Sequence, residues 1–330
     1  MERFALAAAV VLGFALTTAL CSLFVPLRRV LERREQQQPV QSEQLRPAPL
    51  RAPLWGGLCA AAGTVAAVGV GWLAACVGQP ELLGSESRLM TRLLTALAGS
   101  LAFGAVGFAE DLARMRSPAA LGLRRDVRLL LEALAAAFVL LLLRAAGCLP
   151  RGLGVPGAGY VLLGSAVPFL WAVLMVALAE CARIVERDEG AVCGAAFVAM
   201  LALMMVEAGL GVSGLAVLPG ALAGALVALG LWAFPPARLG VGCCGSLLAA
   251  GAIGCIPLSL DMTSLTVPLA LPFWAAGGLL AAQLLCAKRT GKPLRCWVKK
   301  HKMSPETVFL CSFALSAVGY VLALALLRWC

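Results

Sequence analysis

Ten apolar runs of about twenty residues follow one another through this chain, near 4–25, 55–77, 90–109, 128–147, 157–178, 190–208, 213–233, 240–259, 264–287 and 307–328. A run of that length is what an α-helix needs to cross a hydrocarbon layer. Inside such a layer every backbone N–H and C=O must be satisfied within its own segment, so each run reads as a helix ended by charge or by Pro and Gly. The expectation is an all-α integral membrane protein of about ten transmembrane helices, forming one polytopic domain over residues 1–330. Composition closes off the alternative: 61% hydrophobic and 13% charged residues leave too little polar surface to coat a water-soluble globule of this length. The first run, Phe4 to Pro26, is too long for the core of a secretory signal and is read as a retained span, with no cleaved targeting segment.

The segments between the runs alternate in basic charge. Those at 26–54, 110–128, 179–189, 234–239 and 288–306 carry 6, 5, 2, 1 and 7 Lys or Arg, whereas the intervening ones hold only Arg88 and Arg151. The positive-inside rule therefore places the basic segments in the cytoplasm and both termini outside. All five lysines fall in the last basic segment. The net charge of +10 flanks spans and lacks interleaved aromatics, so it points to anionic lipid rather than nucleic acid. The thirteen cysteines sit mostly within apolar runs and read as small packing residues. The chain has no Asn and a single His, His301, which narrows any chemistry that needs those groups. Residues 31–52, rich in Glu, Gln, Arg and Pro, form the one stretch that reads as flexible.

Charged residues near helix ends on one membrane face are where chemistry is expected. Glu110 and Asp111 end the third run in GFAEDLARMR. Adjacent carboxylates there can hold Mg²⁺ or activate a nucleophile, but from spacing alone a solvated helix end paired with Arg114 is the plainer reading. The segment AECARIVERDEGAVCG carries Glu180, Arg183, Glu186 and Glu189; helical spacing puts Glu180 beside Arg183 and Glu186 beside Glu189, for metal binding or internal pairing. AKRTGKPLRCWVKKHK, with Lys292, Lys300 and His301, is a seat for phosphate or a plain positive-inside anchor. Within the spans, Glu132 lies about one turn inside the fourth and Glu207 at the end of the sixth. Spans almost free of charge near the bilayer midplane make a transporter the least favoured class.

Taken in order, these segments resemble the polyprenyl-phosphate hexosamine-1-phosphate transferases, glycosyltransferase family 4, and above all the phospho-N-acetylmuramoyl-pentapeptide transferases. RAPLWGG at 51–57 is similar to the family's GTPTMGG. GFAEDLARMR followed by LGLRRDVRLLLE resembles GF-x-DD-xx-K followed by GL-xxxx-K-xxx-Q. LGLWAFPPARLGVGCCGS at 229–246 resembles LW-x-N-x-PPA-x-x-FMGDTGS, and KRTGKPL resembles the stretch before a histidine cluster. The likeness implies transfer of a sugar 1-phosphate from a UDP-sugar to polyprenyl phosphate, with release of UMP and help from Mg²⁺, in cell-wall synthesis at a bacterial plasma membrane. A homodimer is the implied oligomer.

Position by position, Glu110 and Asp111 fall on the family's paired aspartates and Arg114 on its lysine. The Asn-xx-Asn-xx-Asp-xx-Asp run falls on Glu180, Arg183, Glu186 and Glu189. The Asp of GDTGS, an implied Mg²⁺ ligand, falls on Cys243. Catalytic roles are thus expected at Glu110, Asp111 and Glu186, metal contacts at Glu186 and Glu189, and substrate contacts at Arg114, Arg183, Lys292, Lys300 and His301. A cation at Arg183 and a soft thiol at Cys243 are poor company for a hard ion that prefers oxygen. Two readings follow: a family transferase with reduced, altered or absent catalysis, or a non-enzymatic membrane scaffold that binds polyprenyl phosphate.

Overall fold

The computed structural model describes residues 2–36, 55–78, 87–116, 122–150, 152–155, 159–162, 164–186, 190–234, 237–290 and 305–329. Glu189, Lys292, Lys300 and His301, and most of the stretch 31–52, lie outside them.

The described chain is helical apart from one hairpin. The helices are α1 (Glu2–Gln36), α2 (Gly56–Gly78), α3 (Ser87–Arg116), α4 (Arg125–Ala145), α5 (Ala166–Val185), α6 (Ala191–Gly209), α7 (Ser213–Ala233), α8 (Gly242–Ser259), α9 (Thr266–Leu269), α10 (Leu271–Thr290) and α11 (Pro305–Trp329). Eight of them (α1, α2, α3, α5, α6, α7, α8 and α11) are long and apolar enough to cross a membrane, among the described residues. The protein is therefore a multi-pass membrane protein. Large apolar side chains point outward, among them Leu23, Leu73, Phe169 and Leu310, which suits a chain whose surroundings are lipid.

The fourth and ninth expected spans differ from that set. Helix α4 forms where expected, but Arg125, Asp126, Arg128 and Glu132 charge its first two turns. The ninth is broken: a 3₁₀ turn (Thr263–Leu265) and α9 precede α10, with Ala270 between them. Pro268 and Pro272, neither of which can donate a backbone hydrogen bond, flank that break. The fifth span starts later than the apolar run, because β1 (Gly152–Val155) and β2 (Gly159–Leu162) pair antiparallel, Gly152 opposite Leu162 and Val155 opposite Gly159. Gly152, Gly154, Gly157 and Gly159 each disfavour a helix by about 1 kcal/mol, which outweighs the apolar content of this stretch. Helix α1 continues to Gln36, into the start of the stretch read as flexible.

At the centre stands α8, GCCGSLLAAGAIGCIPLS, every residue of which is buried. It carries no charge, and Gly, Ala, Cys and Ser make it narrow enough to be ringed by α2, α3, α5 and α6. Without a hydrophobic drive between helices in lipid, small residues that allow close backbone approach carry much of the association. Helix α1 does the same with Ala5, Ala9, Gly13, Thr17 and Cys21, one small buried residue every four positions, packed on α2 and α7.

The most consequential close approach joins α3 to the start of α8. A Cβ on Gly107 would lie 2.2 Å from the carbonyl oxygen of Cys243. Since backbone rather than a flexible side chain stands there, the helices would have to separate. Gly107→Val should therefore lower the melting midpoint in detergent by several degrees, a cost on the order of 1–3 kcal/mol. The same change at Gly69, which meets nothing within 4 Å, should leave the midpoint nearly unmoved.

Candidate functional site

The C-terminal turns of α3, the first turns of α4, the end of α5 and the start of α8 meet at one end of the bundle. Asp111 reaches across from α3, and its two carboxylate oxygens each accept a backbone hydrogen bond: Oδ1 from Cys243 N–H at 2.9 Å and Oδ2 from Cys244 N–H at 2.8 Å. These are among the first N–H groups of α8, which have no partner within that helix. Asp111 thus caps α8 from another helix, with its charge at the positive end of the helix dipole. The turn into α8 passes through Gly242 at φ 69°, a left-handed conformation that Gly adopts without steric cost.

Glu110 points to the other side. Its Oε1 pairs with Arg183, with Arg114 at 3.0 Å and with Arg128 at 4.0 Å. Its Oε2 is buried and accepts no hydrogen bond among the described residues. Arg128 is held in turn by Glu180, Nε at 2.9 Å and Nη2 at 3.3 Å, a two-pronged pair that also draws in Arg183 at 3.2 Å. Glu186, just past α5, accepts from Arg114 Nη1 at 3.5 Å and from the Cys243 thiol at 3.6 Å. Three guanidiniums and three carboxylates therefore close into a single network, which Asp111 joins through Cys243.

Glu110, Asp111, Arg114, Arg183, Glu186 and Cys243, picked out from separate segments of the sequence, all belong to this network. The solvated-end reading of the first pair is corrected on one count. Glu110 and Asp111 are 2% and 0% exposed, although Glu110 does pair with Arg114 as spacing suggested. Glu180 and Arg183 share a helix face and bond, as expected.

Arg128 was absent from the expected site residues. Its signal lay in the sequence, since LGLRRDVRLLLE puts Arg128 at the Lys of GL-xxxx-K-xxx-Q and Glu132 at its Gln. Glu132 is fully buried, neither of its oxygens accepts a hydrogen bond among the described residues, and it lies within electrostatic reach of Glu180, Arg183 and Arg128. Glu207, also buried, stands at the far end of α6 from Glu186 and takes no part.

Among the described residues no three His, Cys, Asp or Glu side chains are grouped so as to hold a metal ion. The donor set accounts for this. Both oxygens of Asp111 are engaged by N–H groups, Oε1 of Glu110 is occupied by guanidiniums and leaves one oxygen open, and Cys243 offers sulfur, whereas Mg²⁺ takes hard oxygen ligands in a near-octahedral arrangement.

The charged cluster falls within, and its framework coincides with, a known family. Residues 93–261 match the model of glycosyl transferase family 4, and the chain belongs to that family. It is similar to the phospho-N-acetylmuramoyl-pentapeptide-transferase of Desulforudis audaxviator (strain MP104C), 32% identical over 170 residues, which cover 48% of this chain and 50% of that one. It is also similar to the phospho-N-acetylmuramoyl-pentapeptide-transferase of Geobacillus kaustophilus (strain HTA426), 25% identical over 308 residues, 92% of this chain and 89% of that one. The first alignment thus spans half the length of its relative, and the second nearly all.

Two substitutions separate the roles within the cluster. Asp111→Ala strands two buried N–H groups and should destabilise by about 1–3 kcal/mol, with Asp111→Asn, which keeps one acceptor, falling between it and the parent. Arg183→Ala takes a cation from the buried Glu110 and should cost on the order of 3 kcal/mol. Glu180→Ala, at a side chain 33% exposed, should cost less. Thermal unfolding of the four variants in one detergent checks both orders.

Proposed function

We propose that this chain is a sugar-1-phosphate transferase scaffold for polyprenyl phosphate and a UDP-sugar, in which metal-dependent catalysis is weakened or lost. The single observation that carries the reading is convergence. Glu110 and Asp111 from α3, Arg183 from α5 and Glu186 just past it, and Cys243 from α8 answer to three separate family motifs, and they meet in one largely buried cluster. In the proposed arrangement ten spans place both termini outside, and the cluster faces the cytoplasm of a bacterial plasma membrane. One polytopic domain extends over the chain, with a homodimer as the oligomer.

The parent reaction forms a bond between a lipid phosphate oxygen and the β-phosphorus of the UDP-sugar, and UMP leaves. It is driven by positioning and charge neutralisation. Divalent metal, where a family site holds it, supplies much of that neutralisation. The donor set here does not fit Mg²⁺, so no step is assigned to the ion.

In this chain Arg183 stands among the carboxylates as a fixed internal cation, and its charge is already spent on Glu110 and Glu180. Loss of one electrostatic contact to a transition state commonly costs about 3–4 kcal/mol, which supports weak or absent turnover. In the transferase reading Glu110 and Glu186 are the remaining acid–base candidates, Asp111 holds α8 in place beside them, and Arg114 and Arg183 face substrate phosphate. Lys292, Lys300 and His301 are proposed as further phosphate contacts, and Glu189 as a further carboxylate near Glu186.

The second reading, a non-catalytic scaffold that binds polyprenyl phosphate, draws on the same pairing of Arg183 with Glu110. Release of UMP from UDP-N-acetylmuramoyl-pentapeptide, with undecaprenyl phosphate and Mg²⁺, tests the first reading in detergent-purified protein. The parent chain should release little, and Arg183→Asn with Cys243→Asp should gain release that EDTA abolishes. Fast, EDTA-sensitive release by the parent would mean that the metal site is intact. Retention of either substrate by a parent chain without turnover would favour the scaffold.

A further inference from the structure

A cavity of about 650 Å³ opens between α6, α7 and α11. Its lining shares no residue with the charged cluster, which is built on α3, α4, α5 and the start of α8. It lies at the same end of the bundle, because α6 begins five residues after Glu186 and α7 ends shortly before α8 starts.

The walls are apolar and aromatic. Phe309 of α11 sits edge-on to Phe234 at 5.7 Å and stacks with Phe313 at 6.3 Å. Gly194 of α6 makes room for this packing, since a Cβ there would lie 2.5 Å from the Phe309 ring. On the outer side the groove is open, with Leu231 67% and Phe313 39% exposed. Such rims meet acyl chains, not water.

One end of the groove is cationic. Arg238, exposed and lying 6.0 Å from the ring centroid of Trp232, stands in its lining. Gly190 lines the same cavity as the N-cap of α6, a helix with no acidic residue in its first turn and no side-chain cap. A long helix presents N–H groups and partial positive charge at that end. An apolar trough between spans with an arginine and a helix N-terminus at its end is complementary in shape and charge to an anionic lipid, and basic pockets between spans commonly bind such headgroups.

We propose that this groove binds an anionic glycerophospholipid of the surrounding bilayer. The acyl chain lies along α7 against Phe309 and Phe313, and the phosphate sits at Arg238 and the start of α6. A bilayer lipid is the occupant because the groove opens sideways into the membrane. It is also built on helices that contribute nothing to the charged cluster, so it does not depend on what that cluster binds.

Native mass spectrometry of the full-length protein in detergent tests this, with phosphatidylglycerol, phosphatidylcholine and undecaprenyl phosphate added in competition. The parent should retain phosphatidylglycerol over phosphatidylcholine by about fivefold, the discrimination expected of one arginine near a lipid surface. Arg238→Gln should erase the preference but keep weak retention of both lipids. Val227→Trp, which fills the groove from α7, should remove retention of both; a melting curve matching the parent's shows that it has folded. Equal retention by the parent, or a preference that survives Arg238→Gln, would overturn the proposal. Displacement of phosphatidylglycerol by undecaprenyl phosphate would overturn it in favour of the isoprenoid lipid. A parent dimer dissociated by Val227→Trp with lipid retention unchanged would make the groove a subunit interface.

Discussion

The carboxylate of Asp111, holding the first free N–H groups of α8, is the contact on which the rest of this structure depends. A helix that starts inside a protein within a membrane has no water to satisfy its leading donors. Helix α8 is such a helix, buried from Gly242 to Ser259. Asp111 answers that need from α3, and it does so only because Gly107, one turn earlier, lets the α3 backbone come up against Cys243. With α3 and α8 locked together, Glu110 is turned to the opposite side of α3, toward the arginines of α4 and α5. A structural bond at one residue thus positions the electrostatics of the next.

Those electrostatics are self-contained. Arg114, Arg128 and Arg183 come from three helices and share Glu110, while Glu180 and Glu186 complete their coordination. Buried ion pairs recover their desolvation cost only with good geometry and several hydrogen bonds; Glu110 has three guanidiniums around it, and the part-buried pair of Arg128 and Glu180 adds a two-pronged contact. In this network an arginine does what a bound cation does elsewhere: it lets carboxylates crowd together at low dielectric. The difference is that a guanidinium on a side chain stays in place when ligand leaves.

Much of the fold could be read from apolar run length, because lipid imposes the same length on every span and forbids irregular backbone at its core. Where the reading slipped, a local preference outweighed hydropathy. Four glycines at alternate or near-alternate positions favoured the pairing of residues 152–155 with 159–162 over a helix, and Pro268 and Pro272 mark the broken ninth segment. The cluster was legible in part. Glu110, Asp111, Arg183, Glu186 and Cys243 were visible as altered motif positions, but burial was not, since a carboxylate at a helix end looks the same in sequence whether water or an arginine faces it. Arg128 escaped because it follows two other arginines in LGLRRDVR, although the spacing of GL-xxxx-K-xxx-Q marks it, and the structure shows it turned inward.

The total enclosure of α8 has a consequence for how such a chain changes over generations. Every residue of that helix is buried, so almost any enlargement of a side chain there would force the neighbouring helices apart, whatever the protein does. The charged cluster is under no such geometric veto, because long flexible side chains can exchange partners without moving a backbone. A chain built this way can change its chemistry while its shape is held still.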